Sequence, residues 1–153
     1  MKWTTSSVLT LNKSKFKAFV HPLSNNNEIP HLINQLQKLD KKILKATHPT
    51  MFAWKTAKSN HDENLIIKKL VNLNQGINDC GEGGSGDRIM GLLDRLKIVN
   101  VFVVVSRWYG GSKLGSDRFK CISDVAIEAL NNGNYILPKD KANWIDALQI
   151  KKS

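Results

Sequence analysis

Apolar residues along this chain recur with two different periods. Phe16, Ala18 and Val20 alternate with Lys15 and Lys17, the spacing of a half-buried strand. Val8 and Leu9 precede a turn at Asn12–Ser14, so residues 8–23 are expected to form a hairpin or two short strands. Pro22 and the polar run Ser24–Asn27 end that unit and supply helix caps. Ile29, Leu32, Ile33, Leu36 and Leu39 fall at helical spacing, with Pro30 in the first turn, where a missing N–H costs little. His31, beside that apolar face, is expected at the surface. Asp40–Lys42 closes the helix, and Ile43–Thr47 predicts another short turn. Thr50–Ala57 alternates again, Phe52, Trp54 and Thr56 opposing Met51, Ala53 and Lys55, a strand with one strongly apolar face. Residues 58–78 are polar and asparagine-rich except for Leu65–Leu73, where a short helix is expected. A segment of that length between elements reads as an insertion.

Helical spacing returns at Ile89, Met90, Leu92, Leu93 and Leu96. Val99–Val105 predicts a continuous buried strand, central in its sheet. Phe119, Ile122, Val125, Ala126, Ala129 and Leu130 predict the last long helix, with Ser116 as N-cap and Asn131–Gly133 as a left-handed stop. Trp144, Ile145 and Leu148 are expected to dock as a short helix. The order β-β-α-β-α-β-α predicts an α/β fold, a two-layer α+β sandwich with a mixed sheet of about four strands and helices on one face. With 153 residues and no repeat or linker, one domain is expected over 1–153: a core at 13–131, an insert at 58–78 and a tail at 132–153.

Composition narrows the class. Apolar content of 41% and charged content of 24% are those of a globular protein rather than a disordered one. No apolar run approaches a membrane span, and the first seven residues lack the apolar core of a secretory signal. Cys80 and Cys121 make neither a disulfide framework nor a zinc spacing. The expected compartment is therefore reducing and intracellular, cytoplasmic with the nucleus also open. No metal or cofactor is indicated. The formal charge of +10 is uneven: residues 1–58 hold ten lysines against Glu28 and Asp40, a net of +8, whereas residues 79–130 balance seven basic groups with seven acidic ones. A basic first third suggests an anionic partner, nucleic acid first, or else a solubilising lysine surface.

Two glycine-rich turns flank the central strand. Gly81–Gly86 formally matches a dinucleotide-binding pattern, but Val71–Asp79 before it is polar and interrupted by Gly76. No acidic residue stands about twenty positions on, at Asn100–Val101. Gly110-Gly-Ser-Lys113 does not fit a P-loop. These glycines serve tight turns, or keep the backbone bare so that a phosphate can approach. In the second reading Arg107, Lys113 and Arg118 supply charge, backbone N–H groups of Gly110, Gly111 and Gly115 supply donors, and Ser116 opens the helix. Trp108 and Tyr109 leave the strand just before these glycines. One is expected inside and one outside, where an exposed ring stacks on a base. Asp79 and Glu82 bracket the first turn and suit acid–base work, metal binding, helix-start charge or pairing with Arg107. Cys80 is a candidate thiol, with His48 as a candidate base; Cys121 is expected in the core.

At Val101-Phe-Val-Val-Val-Ser-Arg-Trp-Tyr-Gly-Gly-Ser-Lys-Leu-Gly-Ser-Asp-Arg-Phe119 the sequence resembles the IMPACT/YigZ family, in its eukaryotic form. Lys13-Ser-Lys-Phe16, His48 with Phe52-Ala-Trp54, and Asp79-Cys-Gly-Glu82 resemble further family segments, so the resemblance covers about residues 13–131. It implies a fold like ribosomal protein S5 domain 2 and a role in translation, through RNA, the ribosome or a translation-related protein. It also implies regulation of the general-control response to amino-acid starvation. Eukaryotic relatives carry an N-terminal RWD domain and bacterial ones a C-terminal ferredoxin-like domain, so the shared domain standing alone is expected here. Cys80 replaces the family's second aspartate, which counts against a two-metal site. The resulting expectation is a binding module rather than an enzyme. The alternatives are an enzyme acting on a phosphorylated small molecule or nucleotide, with Glu82 or Asp79 as acid–base, and a protein-interaction regulator of kinase signalling.

Overall fold

The structure, a computed structural model, describes residues 2–58 and 64–150. Its elements in chain order are β1 (Thr4–Thr5), β2 (Leu9–Leu11), β3 (Ser14–Pro22), α1 (Ile29–Leu39), β4 (His48–Lys58), β5 (Ile66–Ile67), β6 (Val71–Asn78), α2 (Ser85–Leu96), β7 (Ile98–Val99), β8 (Val101–Trp108), α3 (Asp117–Asn132) and β9 (Trp144–Asp146). The main sheet runs β1-β3-β8-β4-β6, with β2 also paired to β3, and every pairing in it is antiparallel. A small second sheet, β5-β9-β7, holds one parallel pair, β7 with β9.

The α/β class is the one expected, but the main sheet has six strands and is antiparallel rather than mixed, and helices cover both of its faces rather than one. Every residue of β8 from Val101 to Arg107 is buried, because β3 and β4 flank it and both of its faces are covered. Val101, Val103 and Val105 join Phe16, Ala18, Val20, Met51 and Ala53 in a core closed by α2 and α3. On the other face Phe102 and Val104 join Phe19 and Trp54 under Ile29, Leu32 and Leu36 of α1. The alternation in β4 is therefore apolar on both sides.

The β2–β3 hairpin closes through Asn12 and Lys13, both at positive φ (46° and 69°), the backbone of a two-residue turn that matches strand twist. Asn25 opens the helical segment: its side chain accepts from the Asn27 N–H while Glu28 reaches back to the Asn25 N–H, a capping box. His31 is exposed, as expected.

Several expectations change. Leu65–Leu73 is not a short helix: it contributes β5 and the start of β6, and β6 is an edge strand of the main sheet. Residues 59–63 of the expected insert lie outside the described residues. Gly76 does not interrupt β6; a Cβ there would lie 2.5 Å from Trp54 Nε1, so the bare backbone makes room for the indole. A strand thus precedes the first glycine turn. It is an exposed antiparallel edge rather than the buried parallel strand of a dinucleotide fold. Val99–Val105 is two strands, broken at Asn100, whose φ of 60° turns the chain. Asn100 satisfies four groups: its Oδ1 accepts from the Ala57 N–H, its Nδ2 donates to Asp146, its N–H donates to the Lys55 carbonyl, and its carbonyl accepts from Leu23. Ser116 precedes α3 in helical geometry and gives no side-chain cap. The left-handed residue after α3 is Asn134 (φ 61°), not Gly133. The tail segment forms strand β9 followed by a single 3-10 turn, Ala147–Gln149.

Candidate functional site

The antiparallel sheet brings the two glycine turns together. β8 ends at Trp108 beside the start of β3 and the start of β4, because Phe16 pairs with Arg107 and His48 pairs with Arg107 from the other side. A one-residue slip in the β4–β8 register between His48 and Met51, a β-bulge, carries His48 to this end. The first glycine turn, residues 79–84, folds over the same end and delivers Glu82, which is buried.

Arg107 and Glu82 form a buried ion pair through Nη1 and Oε1. His48 Nε2 lies 3.4 Å from Glu82 Oε2, and Arg118 Nε lies 3.7 Å from Oε1. Arg107 Nη2 is 3.5 Å from Ser14 Oγ, which also accepts from the Gly110 N–H at 3.1 Å. The Arg107 guanidinium lies over the rings of Phe16 and Tyr109, at 5.3 and 5.7 Å from their centroids. Its Nε is buried without a hydrogen-bond partner among the described residues. Above this layer is a cavity of about 330 Å³, lined by His48, Glu82, Arg107, Tyr109, Lys113, Leu114, Gly115 and Arg118. Its fixed charges are three cations and one carboxylate.

The expected cationic trio therefore meets in space, with divided roles. Arg107 is buried and held by Glu82, whereas Lys113 is exposed at the rim and Arg118 is half-buried beside it. Glu82 supplies an anion for the cations at the start of α3 from within the protein, the pairing role weighed for it in the sequence. Asp79 is a helix-start charge: its carboxylate accepts from the Gly86 N–H at 2.8 Å and the Gly84 N–H at 3.3 Å. The candidate pairing of His48 with the Cys80 thiol is not formed. His48 Nδ1 donates to the Cys80 carbonyl at 2.9 Å, since a carbonyl only accepts, and the Cys80 sulfur lies 3.7 Å from Thr50 Oγ1. Cys121 is buried in the α3 core; burial first, then the charges of Asp124 and Asp117, push its thiol pKa upward and keep it protonated. Trp108 is part-buried and donates Nε1–H to the Lys42 carbonyl, while Tyr109 is 47% exposed at the cavity wall.

Gly110 and Gly111 face the hairpin rather than the cavity. Any side chain at Gly110 would collide with the Lys13 backbone, so this glycine is required for the turn and hairpin to touch. The two line a second, more open recess with Asn12, Lys13 and Ser112. Ser116 lies outside the lining of both. Ser14 and Leu114 belong to the site without being singled out in the sequence; for Ser14 the family-like Lys13–Phe16 segment is the available signal. Among the described residues no group of three or more His, Cys, Asp or Glu is placed to hold a metal ion, and no helix is long and apolar enough to cross a membrane.

The Impact N-terminal domain family matches residues 12–130, which takes in both glycine turns, β8 and the ion pair. The chain belongs to the IMPACT family. An IMPACT family member of Saccharomyces cerevisiae is 39% identical over 158 residues, covering 88% of this chain and 93% of the relative. The protein IMPACT homologue of Caenorhabditis elegans is 36% identical over 129 residues, 84% of this chain and 46% of its own length. This IMPACT-family chain thus spans nearly all of the first relative and under half of the second. Among solved structures, the two-domain translational regulator Yih1 superposes with a TM-score of 0.56 at 33% identity, covering 85% of this chain and 46% of that one. A crystal structure of a hypothetical protein gives 0.59 at 18% identity, covering 86% of this chain and 61% of that one, and shares the fold.

Proposed function

We propose that this IMPACT-family chain is a regulatory binding module of translation that engages an anionic partner, RNA first, at the cavity beside β8. The observation that carries the reading is the charge of that cavity. Glu82 neutralises one cation, and Lys113 and Arg118 remain with exposed surface at its rim. Such a site attracts phosphate and loses affinity with salt. Likeness to a translational regulator supports the setting, and the lysine-rich first third strengthens long-range attraction to RNA. Arg107 acts by positioning in this scheme. Glu82 clamps its guanidinium, which in turn shapes the cavity floor.

The test is binding of structured RNA across a salt series, wild type against Lys113→Ala/Arg118→Ala. Each lost phosphate contact should flatten the slope of log affinity against log salt by about 0.9 for a duplex or about 0.7 for a single strand. Equal slopes for the two proteins would assign RNA binding to the lysine surface instead. A second reading, an enzyme acting on a phosphorylated small molecule, draws support from His48 Nε2 facing Glu82 Oε2 inside the same cavity. For that reading, Glu82→Gln should abolish turnover while a folded protein keeps its ligand affinity.

A further inference from the structure

Resting on the anion-binding reading above, we infer that the cavity beside β8 receives a terminal phosphate monoester of a nucleotide, free or at an RNA end, rather than an internal phosphodiester. Depth is the first argument. The side chains that line the floor are recessed, Arg107 at 5%, Glu82 at 10% and His48 at 18% exposure. An internal phosphodiester carries a sugar on each side and reaches such a floor only by bringing both into the opening. A terminal phosphate enters alone.

Charge is the second argument. A monoester carries about −1.5 to −2 at neutral pH, against about −1 for a diester. The cavity's three fixed cations exceed its carboxylate by two, which matches the monoester. The third argument is the wall. Tyr109, 47% exposed, presents a ring already backed by the Arg107 guanidinium at 5.7 Å, a platform for the base of the same nucleotide. Its volume, about 330 Å³, lies at the lower end of small-molecule sites, roughly 300–1,000 Å³. That is the size of one nucleotide.

The experiment measures affinity by calorimetry for adenosine 5′-monophosphate, adenosine, inorganic phosphate, and one short RNA prepared with a 5′-phosphate and with a 5′-hydroxyl. The expected result is that the monophosphate binds and adenosine does not, and that the 5′-phosphorylated RNA binds at least about tenfold more tightly than its hydroxyl twin. Tyr109→Ala should weaken the monophosphate by about fivefold or more, the loss of one stacked base, and leave inorganic phosphate unchanged. Lys113→Ala, at an exposed position, should weaken both. Equal affinity for the two RNAs, with the free monophosphate failing to bind, would overturn the terminal-phosphate inference and leave the anion-binding reading intact. Failure of every phosphate-bearing probe would overturn both.

Discussion

At the scale of single residues, two buried polar groups carry more than their neighbours. Asn100 sits inside an otherwise apolar run and adopts φ 60°, a region costing most residues about 1–2 kcal/mol. Its side chain also satisfies Ala57 and Asp146 in the interior. These roles separate by mutation. Asn100→Gly keeps the turn and loses the hydrogen bonds, at about 1–3 kcal/mol for the groups left unsatisfied. Asn100→Ala loses both and should be less stable still, by about 1–2 kcal/mol. Urea denaturation of the three proteins checks this, and equal stability of the Gly and Ala variants would remove the conformational argument. Glu82 and Arg107 form the other group. Removing one partner of a buried pair leaves an uncompensated charge and costs about 3–5 kcal/mol. Glu82→Leu, which strips the buried Arg107 of its carboxylate, should therefore be partly rescued by adding Arg107→Met, a double variant that unfolds at higher denaturant than Glu82→Leu alone.

At the scale of elements, what was legible in the sequence follows from burial. α1, α2 and α3 each bury one stripe and expose the rest, so their apolar residues recur at helical spacing and their positions are readable. β8 is buried on both faces and reads as an apolar run. β6 is an edge strand with most of its residues exposed, so Val71–Asn78 shows no alternation and is read as an insertion. Its place in the sheet comes from Trp54 lying over Gly76, a long-range fit that no local pattern reports. The same limit governs the site. Residue types and turns are visible in the sequence. Whether His48 meets Cys80 or Glu82 depends on a register slip in β4 that alternation does not encode. The Trp54–Gly76 contact is testable. Gly76→Ala forces the indole to move and should cost about 1–3 kcal/mol. In a Trp54→Phe background most of that penalty should disappear, and an equal penalty in both backgrounds would mean that β6 is weakened by some other route.

At the scale of the molecule, three groups with shifted titration, Tyr135, Glu28 and Glu128, lie away from the cavity and tie stability to pH. Tyr135 is fully buried where α3 returns against β1, near the Val20 end of β3, whereas the cavity adjoins the Phe16 end of that strand. Burial raises its phenol above the ordinary value of 10, against an opposing hydrogen bond with Thr4. A group whose folded pKa is raised holds its proton longer in the folded state than in the unfolded chain. Its contribution is complete below the unfolded pKa and is lost as pH rises through the folded one. Carboxylates act at the other end of the scale. Burial raises Glu28, but its hydrogen bonds with Ser24 and Asn25 prevail and lower it below 4.5, and bonds from Ser7 lower Glu128 likewise. Their contribution is present above about 4.5 and is lost as pH falls through the lowered values. The melting temperature should thus hold a plateau near neutrality and decline on both sides. Tyr135→Phe should flatten the alkaline limb and leave the acid limb unchanged, while Glu28→Gln, by weakening the capping box, should lower the plateau and flatten the acid limb. Melting curves of the three proteins from pH 3 to 11 decide it: an alkaline limb identical in wild type and Tyr135→Phe would assign that decline to the lysines instead of the buried phenol.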